Sequence, residues 1–573
     1  MNIQQRALPS AQALREGEIH PVLRRIYATR GIGDKAELDL GLAGLLPVSR
    51  LSGVEAAARL LRRSLESGKS LLIVGDYDAD GATSTALAMR ALRAFGCGCV
   101  DYLVPNRFDF GYGLTPELVE LAAERKPGLI ITVDNGISSV AGVARAAELG
   151  IPVVITDHHL PPETLPAAAA IVNPNQSGDD FPSKHLAGVG VLFYLMVALH
   201  RSLKAEDWFS ERGLAEPNPA DWLDLVALGT VADLVPLDRN NRILVSQGLK
   251  RIRAGRCRPG ILALLEVAKR IPARVVASDM GYAVGPRLNA AGRLEDMGLG
   301  IECLVTDSAE TAAQMAEELD RLNRSRREIE QTMRQQAEQA LERLHRLNEG
   351  ELPAGLCLYD GAWHQGVVGI LASRIKDQYH RPVIVFADGG EGLVKGSARS
   401  ISGLHMRDLL DRIATRHPGI IKRFGGHAMA AGLTLERDSF DTFKTAYEAE
   451  VAASIEPAML EGILLTDGEL AGGEFSLEFA QLLREAGPWG QGFPEPLFEG
   501  EFRLLQQRVV GECHLKLRLG GSEIVDSLDA IAFNQPALES GTQQVKLAYR
   551  LDVNEFRGLQ TPQLIVEYIQ SIP

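Results

Sequence analysis

Short apolar runs that end abruptly in acidic or histidine residues recur along the first half of the chain. Four of them occupy residues 71–74, 129–133, 153–156 and 228–232. Short β-branched runs that alternate with helical stretches predict buried parallel strands. Ligands of such a sheet bind outside the carboxyl ends of its strands. We therefore expect one crevice to collect the side chains that follow these runs, which are Asp76, Asp78, Asp80, Asp134, His158 and Asp233.

These side chains predict a metal site. Several carboxylates that share one crevice cannot all stay ionised unless cations lie between them. The stretch from Asp76 to Gly81 also resembles the start of a calcium-binding EF-hand loop. That loop follows a helix and carries a Glu at its twelfth position, whereas this one follows a predicted strand and has Leu87 there. An EF-hand calcium site is therefore disfavoured.

The pattern of the remaining residues predicts an α/β protein of several domains. Residues 1–50 carry helical fragments, and residues 51–306 alternate strands with helices, as in a doubly wound parallel sheet. Residues 307–348 contain no Gly or Pro and repeat apolar residues at helical spacing, which predicts one long connecting helix. A second α/β domain is expected over residues 349–455.

The carboxyl-terminal part changes to β patterning. Residues 456–573 begin with a helical stretch and continue as five strand-like runs with Gly-bearing turns between them. Five such strands predict a small closed barrel such as an OB-fold, which binds oligonucleotides in many proteins. A β-sandwich is the alternative, because it would give a similar pattern.

Composition indicates the surface charge and the cellular compartment of the protein. A formal net charge of −14 over 573 residues argues against a generally basic surface, so a nucleic-acid substrate would have to meet a local basic groove. The six cysteines are scattered, which fits a reducing compartment. The amino terminus lacks an apolar signal core, and the apolar residues 187–199 predict a core helix. We expect a cytoplasmic protein without membrane contact and, since no heptad seam is visible, a monomer.

The ordered motifs resemble those of the DHH phosphoesterase superfamily. They are Asp76-Tyr77-Asp78-Ala79-Asp80-Gly81, Val133-Asp134-Asn135-Gly136, Asp157-His158-His159 and Thr230-Val231-Ala232-Asp233. Within that superfamily the chain is similar to the single-strand-specific exonucleases. The further motifs that carry this similarity are Gly285-Pro286-Arg287-Leu288-Asn289-Ala290-Ala291-Gly292-Arg293, Lys395-Gly396-Ser397-Ala398-Arg399-Ser400 and Gly425-Gly426-His427. The resemblance covers nearly the whole chain. It implies a DHH catalytic domain over residues 51–306, a DHH-associated domain over 349–455 and a nucleic-acid-binding OB domain over 456–573.

The resemblance also implies two divalent cations, with Mn²⁺ preferred and Mg²⁺ as the substitute. Two ions about 4 Å apart are the usual arrangement for hydrolysing a phosphodiester. The implied division of ligands gives Asp76 and Asp78 to the first ion, Asp80, His158 and Asp233 to the second, and Asp134 to both. Asp157 would orient His158 or serve as a weak ligand. His159 would face the scissile phosphate; a histidine that is hydrogen-bonded within the strand-end loop is the alternative.

The direction of digestion requires a separate binding site that recognises one end of the strand, because two metal ions cleave any phosphodiester presented to them. A pocket for the terminal 5′-phosphate would supply it, with arginines and a hydroxyl or backbone N–H as donors. The resemblance places four residues near that end of the strand: Arg107, Arg287, Ser397 and Arg399. Gly425, Gly426 and His427 predict a tight turn that lets the backbone approach a phosphate or sugar; a purely structural turn is the alternative.

Together these features imply a 5′→3′ exonuclease that degrades single-stranded DNA to 5′-mononucleotides. The resemblance implies work in recombination and repair, beside a RecQ-type helicase and a single-strand-binding protein. Two alternatives stay open. One is a phosphoesterase of small nucleotides or oligoribonucleotides, which typically lacks the barrel. The other is a non-catalytic nucleic-acid scaffold of the same fold, which should have lost ligands that this chain retains.

Overall fold

The computed structural model describes residues 2–9, 14, 19–105, 113–347, 352–511, 513–521 and 524–572. The chain forms two compact units. The large unit comprises residues 5–320 and 465–573, and the small unit comprises residues 1–4 and 321–464.

The amino-terminal part of the large unit contains a five-stranded parallel sheet. After β1 (Asn2–Gln5) and α1 (Pro21–Thr29), its strands are β2 (Leu71–Gly75), β3 (Val100–Leu103), β4 (Leu129–Val133), β5 (Val153–Thr156) and β6 (Ala170–Val172). Their order in the sheet is β3-β2-β4-β5-β6. The first helices are α2 (Val54–Glu66), α3 (Ala79–Ala94), α4 (Pro116–Glu124), α5 (Val140–Glu148), α6 (Gly188–Ala205) and α7 (Trp208–Glu211). Strands β2, β4 and β5 are buried along their whole length, which confirms the doubly wound parallel sheet.

Helices fill the rest of this part of the chain. They are α8 (Leu223–Ala232), α9 (Arg239–Arg253), α10 (Pro259–Val267), α11 (Ala277–Asp279), α12 (Gly285–Leu294) and α13 (Gly298–Val305). The next helix, α14 (Ala309–Leu347), has residues in both units. Short 3-10 helices occupy Lys35–Leu38, Leu42–Gly44, Val48–Arg50, Pro219–Trp222 and Pro272–Arg274, and a π-helical turn spans Met280–Val284. The long helix α14 has 39 residues, which confirms the predicted connecting helix.

The prediction of a fourth strand before Asp233 is wrong. Residues 223–232 form helix α8, and all of them except Ala232 are buried. A helix that is buried on every side shows no hydrophobic periodicity, so its sequence cannot be told from that of a buried strand.

Helix α6 covers the apolar stretch for which a core helix is predicted. By length and composition it could cross a membrane, but the core helix of a soluble protein passes the same test. Within the large unit, 72% of its residues are buried. Its side chains pack against α2 and α3, so the interpretation as a core helix is confirmed.

The small unit contains a mixed five-stranded sheet of order β10-β11-β9-β8-β7. Its elements are β7 (Leu356–Tyr359), α15 (Val368–Tyr379), β8 (Val383–Gly390), β9 (Leu393–Arg399), α16 (Met406–Arg416), β10 (Arg423–Gly426), β11 (Ala430–Glu436) and α17 (Phe440–Ser454), followed by β12 (Ile463–Thr466). Strands β7 and β8 are parallel, and the other neighbours in this sheet are antiparallel. The second α/β domain is therefore confirmed.

The carboxyl-terminal part of the large unit is a closed barrel. Helix α18 (Leu477–Glu485) precedes its five strands, which are β13 (Phe498–Val510), β14 (His514–Gly521), β15 (Ile524–Ala532), β16 (Gln544–Phe556) and β17 (Leu559–Ile572). The order around the barrel is β13-β14-β15-β17-β16, and β15 and β17 are the parallel pair. The OB-like barrel is thus confirmed, and the β-sandwich alternative is excluded.

A buried ion pair joins this barrel segment to the amino-terminal helix within the large unit. The guanidinium of Arg30 donates to both carboxylate oxygens of Asp467, at 2.6 and 2.9 Å. The two side chains are 1% and 0% exposed. Asp467 also accepts a hydrogen bond from the backbone N–H of Leu497, immediately before β13. A bidentate ion pair of this kind fixes orientation as well as distance. Arg30, at the end of α1, therefore helps to hold the segment that leads into the barrel.

Candidate active site

Three strand ends of the parallel sheet supply most of the predicted metal ligands. Asp76 follows β2, Asp134 follows β4, and Asp157 with His158 follows β5. Because β2, β4 and β5 are adjacent and parallel, these residues meet at one edge. The backbone of Asp134 is left-handed, with φ +62°. Such a conformation costs a non-glycine residue free energy, and it is concentrated at functional sites.

The acidic loop after β2 is held by backbone hydrogen bonds. Asp78 caps α3 by accepting from the backbone N–H groups of Asp80 and Gly81. Asp80 accepts from the first two N–H groups of α6, those of Gly188 at 2.6 Å and Val189 at 3.0 Å. The positive end of a helix dipole therefore faces this carboxylate.

Two residues outside the predicted set also shape the loop. The side-chain oxygen of Asn289 accepts from the backbone N–H of Ala79 at 2.8 Å. A Cβ on Gly188 would lie 2.6 Å from Asp134 Oδ1, so only glycine lets α6 come this close. Both contacts join residues that are far apart in sequence. Asn289 lies in the motif Gly285–Arg293, but that motif does not indicate its partner.

The candidate ligands form three overlapping groups. Within each group the ligand atoms lie within 4.8 Å of one another, and the groups are Asp76–Asp78–Asp134, Asp80–His158–Asp233 and Asp134–His158–His159. His158 Nε2 is 3.2 Å from Asp134 Oδ1 and 3.4 Å from Asp233 Oδ2. Carboxylate oxygens and imidazole nitrogens are suitable donors for Mn²⁺ and, through the carboxylates, for Mg²⁺. The donor set therefore fits divalent cations.

Asp233 reaches this cluster from a helix. It follows the last residue of α8 rather than a strand, which corrects the sequence interpretation. The residue is nevertheless in the predicted place, because α8 ends beside the carboxyl edge of the sheet.

The carboxylates of the cluster resist ionisation without a cation. Burial, followed by the charge of Asp78, raises the pKa of Asp80 to about 7. Burial, with the charges of Asp80 and Asp78, raises the pKa values of Asp134 and Asp233 well above the ordinary range. A bound cation would reverse this effect, because it favours the ionised form.

Asp157 lies beneath the paired histidines. Its Oδ1 is 2.7 Å from Nδ1 of His159 and accepts from the backbone N–H groups of His158 and His159. Its Oδ2 accepts from the backbone N–H of Ile137. Asp157 was predicted to orient the imidazole of His158, whereas the described contact is with the imidazole of His159. Burial opposes the imidazolium of His159, but the contact with Asp157 and the charges of Asp76 and Asp78 outweigh it and raise the pKa of His159 to about 9.

These pKa shifts predict how the stability of the metal-free protein depends on pH. The folded-state pKa of Asp80 is raised to about 7, above the unfolded value of about 3.9. Its contribution to stability is therefore present at low pH and is lost as the pH rises through 7. His159, with its folded-state pKa raised to about 9, acts in the same direction.

We expect the chelator-treated protein to melt several degrees lower at pH 8.5 than at pH 5.5, as measured by thermal denaturation. Added Mn²⁺ should raise the melting temperature most at pH 8.5, where protons compete least for the ligands. If the melting temperature of the metal-free protein is the same at both pH values, the raised pKa values of Asp80 and His159 are contradicted.

The small unit contains a second cluster, around Arg399. Its guanidinium donates to Ser373 Oγ and Ser397 Oγ, both at 3.1 Å, and to the backbone oxygen of Ala398 at 2.8 Å. Burial lowers the pKa of Arg399. No carboxylate among the described residues forms an ion pair with it. A Cβ on Gly369, in the first turn of α15, would lie 3.1 Å from Arg399 Nη2, so this glycine keeps the space beside the guanidinium open.

The glycine pair differs from the predicted tight turn, and the predicted roles of the other two arginines stay predictions. Gly425 and Gly426 are the last residues of strand β10 rather than a turn, and a Cβ on Gly426 (φ +139°) would lie 2.5 Å from the backbone oxygen of Ala430. Arg287 is engaged by the carboxylate of Asp320, 2.8 Å from its Nη2. Arg107 lies outside the described residues.

His427 directly follows the strand end. Its backbone N–H donates to the backbone oxygen of Ala430 at 2.8 Å, which closes the hairpin between β10 and β11. The structure therefore gives Gly426 and His427 a structural role in this hairpin, and their contact with a nucleic acid stays a prediction.

Comparisons with known proteins agree with this architecture. Residues 70–230 match the DHH family, N-terminal domain, residues 353–453 match the DHHA1 domain, and residues 466–568 match the RecJ OB domain. The fold and the acidic cluster thus define a DHH-type phosphoesterase with an added OB barrel.

Several relatives are similar over nearly their whole length. The chain is 57% identical to the single-stranded-DNA-specific exonuclease RecJ of Escherichia coli, over 97% of this chain and 96% of the relative. It is 51% identical to the corresponding protein of Haemophilus influenzae, over 96% of both chains. The crystal structure of Thermus thermophilus RecJ in complex with Mn²⁺ matches with a TM-score of 0.80 and 32% identity, covering 100% of this chain and 79% of that one. The chain belongs to the RecJ family of single-stranded-DNA-specific exonucleases.

Proposed function

We infer that this protein is a metal-dependent exonuclease specific for single-stranded DNA, and we propose that it digests from the 5′ end to release 5′-mononucleotides. The observation that carries the proposal is the overlap of the three ligand groups on Asp134 and His158. Such an overlap suits two ions that share ligands, as phosphodiester hydrolysis requires. The named activity of the RecJ relatives supports the same reaction.

We assign the ligands by the family resemblance, and the groups Asp76–Asp78–Asp134 and Asp80–His158–Asp233 support this assignment. Asp76 and Asp78 would hold the first ion, Asp80, His158 and Asp233 the second, and Asp134 both. The hydrogen bonds from Gly188 and Val189 hold the carboxylate of Asp80 in one orientation. When bound, the two cations supply a water nucleophile at neutral pH and neutralise charge on the phosphate. Mn²⁺ is the preferred ion and Mg²⁺ the substitute, consistent with RecJ relatives solved in complex with each.

His159 is the residue proposed to face the scissile phosphate. Its contact with Asp157 orients the imidazole and raises the pKa of His159, which favours the protonated form. A protonated imidazole beside the phosphate would hold a proton close to the oxygens that gain negative charge. Asp157, buried and fixed by the backbone of Ile137, would serve as the positioning residue for His159.

The cluster around Arg399 is the proposed pocket for the 5′-phosphate. The guanidinium of Arg399 is partly buried and has no carboxylate partner among the described residues, so an anion would compensate its charge. Ser397 adds a hydroxyl, and the first turn of α15 adds backbone N–H groups at the positive end of the helix dipole. Gly425, Gly426 and His427 are proposed to contact the same end of the strand, and Arg107 stays a candidate. Arg287 is a weaker candidate because Asp320 engages it.

The compartment, the biological process and the partners of the protein are proposed from its membership of the RecJ family. We propose that the protein acts in the cytoplasm as a monomer, in recombination and repair, beside a RecQ-type helicase and a single-strand-binding protein. The domain boundaries proposed are 1–50, 51–306, 307–348, 349–455 and 456–573. The OB barrel argues against a phosphoesterase of small nucleotides, and the complete set of acidic ligands argues against a non-catalytic scaffold.

A strand labelled differently at its two ends tests the proposed function. We expect the 5′ label to leave first, as a mononucleotide, only in the presence of Mn²⁺ or Mg²⁺. The same strand annealed to its complement should be digested far more slowly. Release of the 3′ label first, or digestion after complete removal of divalent ions, would contradict the proposal.

A further inference from the structure

Two asparagines that follow the last strand of the parallel sheet bind the backbone of the paired histidines. Asn173 directly follows β6, and Asn175 lies two positions further along the chain. The side-chain Nδ2 of Asn175 donates to the backbone oxygen of His158 at 2.6 Å, and Nδ2 of Asn173 donates to the backbone oxygen of His159 at 2.9 Å. Each asparagine therefore holds one carbonyl of the histidine pair. We call Asn173 and Asn175 the asparagine pair.

The loop that carries the asparagine pair is fixed by its own hydrogen bonds. Asn173 is 0% exposed, and its Oδ1 accepts from the backbone N–H of Asn175 at 2.7 Å. Because a carbonyl oxygen can only accept, this contact leaves the NH₂ group of Asn173 facing the histidine carbonyl. Lys184 closes the same loop, since its Nζ donates to the backbone oxygens of Pro174 and Asp179 at 2.6 and 2.7 Å. The donors are thus oriented before any ligand binds.

The pairing of the two strands ends before these hydrogen bonds begin. β5 and β6 pair from Val154 with Ala170 to Thr156 with Val172, and the backbone N–H of Asp157 donates to the oxygen of Val172 at 3.1 Å. Asparagines in loops commonly bond to their own chain neighbours. The asparagine pair instead reaches across to a different strand end, over 17 and 14 positions. It therefore holds the histidine pair itself, beyond the contacts that hold the strands together.

The backbone of the histidine pair is held on both sides. Oδ1 of Asp157 accepts from the backbone N–H groups of both histidines, and the asparagine pair donates to both of their carbonyl groups. A fixed backbone restricts where each imidazole can lie. Groups that orient a metal ligand in this way strengthen metal binding and activity.

The two imidazoles have different partners in the acidic cluster. Nε2 of His158 lies 3.2 Å from Asp134 Oδ1 and 3.4 Å from Asp233 Oδ2, and His158 is a proposed ligand of the second ion. Nδ1 of His159 lies 2.7 Å from Asp157 Oδ1, and His159 is proposed to face the scissile phosphate. A disturbance of one histidine should therefore affect metal binding, and a disturbance of the other should affect the reaction of the bound strand.

On the basis of the proposed two-metal exonuclease function, we propose that the asparagine pair consists of two positioning residues with separate effects. Asn175 sets the position of His158 as a metal ligand. Asn173 sets the position of His159 beside the scissile phosphate. Both act through the backbone carbonyl that they bind, and neither is a ligand of a cation or of the strand.

Mn²⁺ affinity and digestion rate, measured separately, test this division. The affinity comes from equilibrium titration of the chelator-treated protein, and the rate comes from mononucleotide release from a 5′-phosphorylated single strand in saturating Mn²⁺. Asn175→Ala should bind one ion about tenfold more weakly, because loss of a group that supports a metal ligand costs about 10–100-fold, and its rate should stay close to that of the wild type. Asn173→Ala should bind Mn²⁺ as the wild type does and should digest about tenfold more slowly.

Two further variants separate positioning from folding. Gln176→Ala is the matched control in the same loop, because Gln176 Nε2 donates to the backbone oxygens of Ile171 and Asn173 at 3.4 and 3.2 Å and not to the histidine pair. It should match the wild type in both measurements. Asn173→Asp keeps the size of the buried side chain and its accepting oxygen but removes the donor. It should melt close to the wild type and digest as slowly as Asn173→Ala.

The two proposals fail in different ways. Wild-type Mn²⁺ affinity in Asn175→Ala, with only a lower melting temperature, would show a purely structural role and would overturn the proposal. Equal effects of the two alanine variants on affinity and on rate would also overturn it. A wild-type enzyme that does not digest single strands would instead overturn the proposed function, and the Mn²⁺ affinities would still decide the role of Asn175.

Discussion

Replacing Asp134 by asparagine is expected to abolish strand cleavage while the protein stays folded. On the proposed assignment Asp134 is a ligand of both ions, so the change removes a ligand from each, and the residue belongs to two of the three ligand groups. Loss of a residue that only supports a metal ligand reduces activity by about 10–100-fold, and loss of a shared ligand should exceed the upper value. The measurement is the rate of mononucleotide release from a 5′-labelled single strand in saturating Mn²⁺.

The fold should tolerate this change because the carboxyl of Asp134 is buried and its pKa is raised well above the ordinary range. Asparagine has nearly the same shape and no charge to desolvate. Asp101→Asn, at an exposed carboxylate paired with Arg125, is the matched control and should keep full activity. Binding of single strands should survive in both variants, since phosphate contacts by basic residues supply most of it. An Asp134→Asn enzyme with a tenth of the wild-type rate would exclude the bridging role.

Replacing Arg399 by alanine is expected to reduce digestion of 5′-phosphorylated strands by about 10–100-fold. A lost hydrogen bond to a charged group costs about 1.5–3 kcal/mol, which corresponds to that range. The same enzyme should digest 5′-hydroxyl strands at a rate close to that of the wild type, because that substrate has no terminal charge to lose. The measurement compares initial rates on the two substrates for each enzyme.

The contacts of Arg399 allow the two substrates to be compared without an added effect on folding. The guanidinium contacts two serine hydroxyls and one backbone oxygen, so its removal leaves no buried carboxylate without a partner. Arg407→Ala, at an exposed arginine on α16 of the same unit, is the matched control. Ser397→Ala should give a smaller loss with the same dependence on the terminal phosphate. Equal losses on both substrates would show that this cluster does not recognise the end of the strand.

The sequence predicts the strand ends of the active site well, for a physical reason. The apolar runs before Asp76, Asp134 and Asp157 are too short for helices and lie between helical patterns, and parallel strands bring their carboxyl ends to one edge. The run before Asp233 has the same composition but forms α8. Its burial on all sides removes the periodicity by which a helix is recognised.

Contacts between distant residues could not be predicted in this way. The hydrogen bonds from α6 to Asp80 join residues more than 100 positions apart, and the ion pair of Arg30 with Asp467 joins the two ends of the large unit. The partner of Arg287, Asp320, has no local signal in the sequence either.

The number of Mn²⁺ ions bound per chain tests the central claim most directly. Equilibrium titration of the chelator-treated protein, with direct measurement of bound Mn²⁺, should give two ions per wild-type chain. The Asp134→Asn protein should bind both ions more weakly, because its missing carboxylate is shared. A wild-type chain that saturates with one ion, or an Asp134→Asn protein that binds two with unchanged affinity, would contradict a two-metal site built on Asp134.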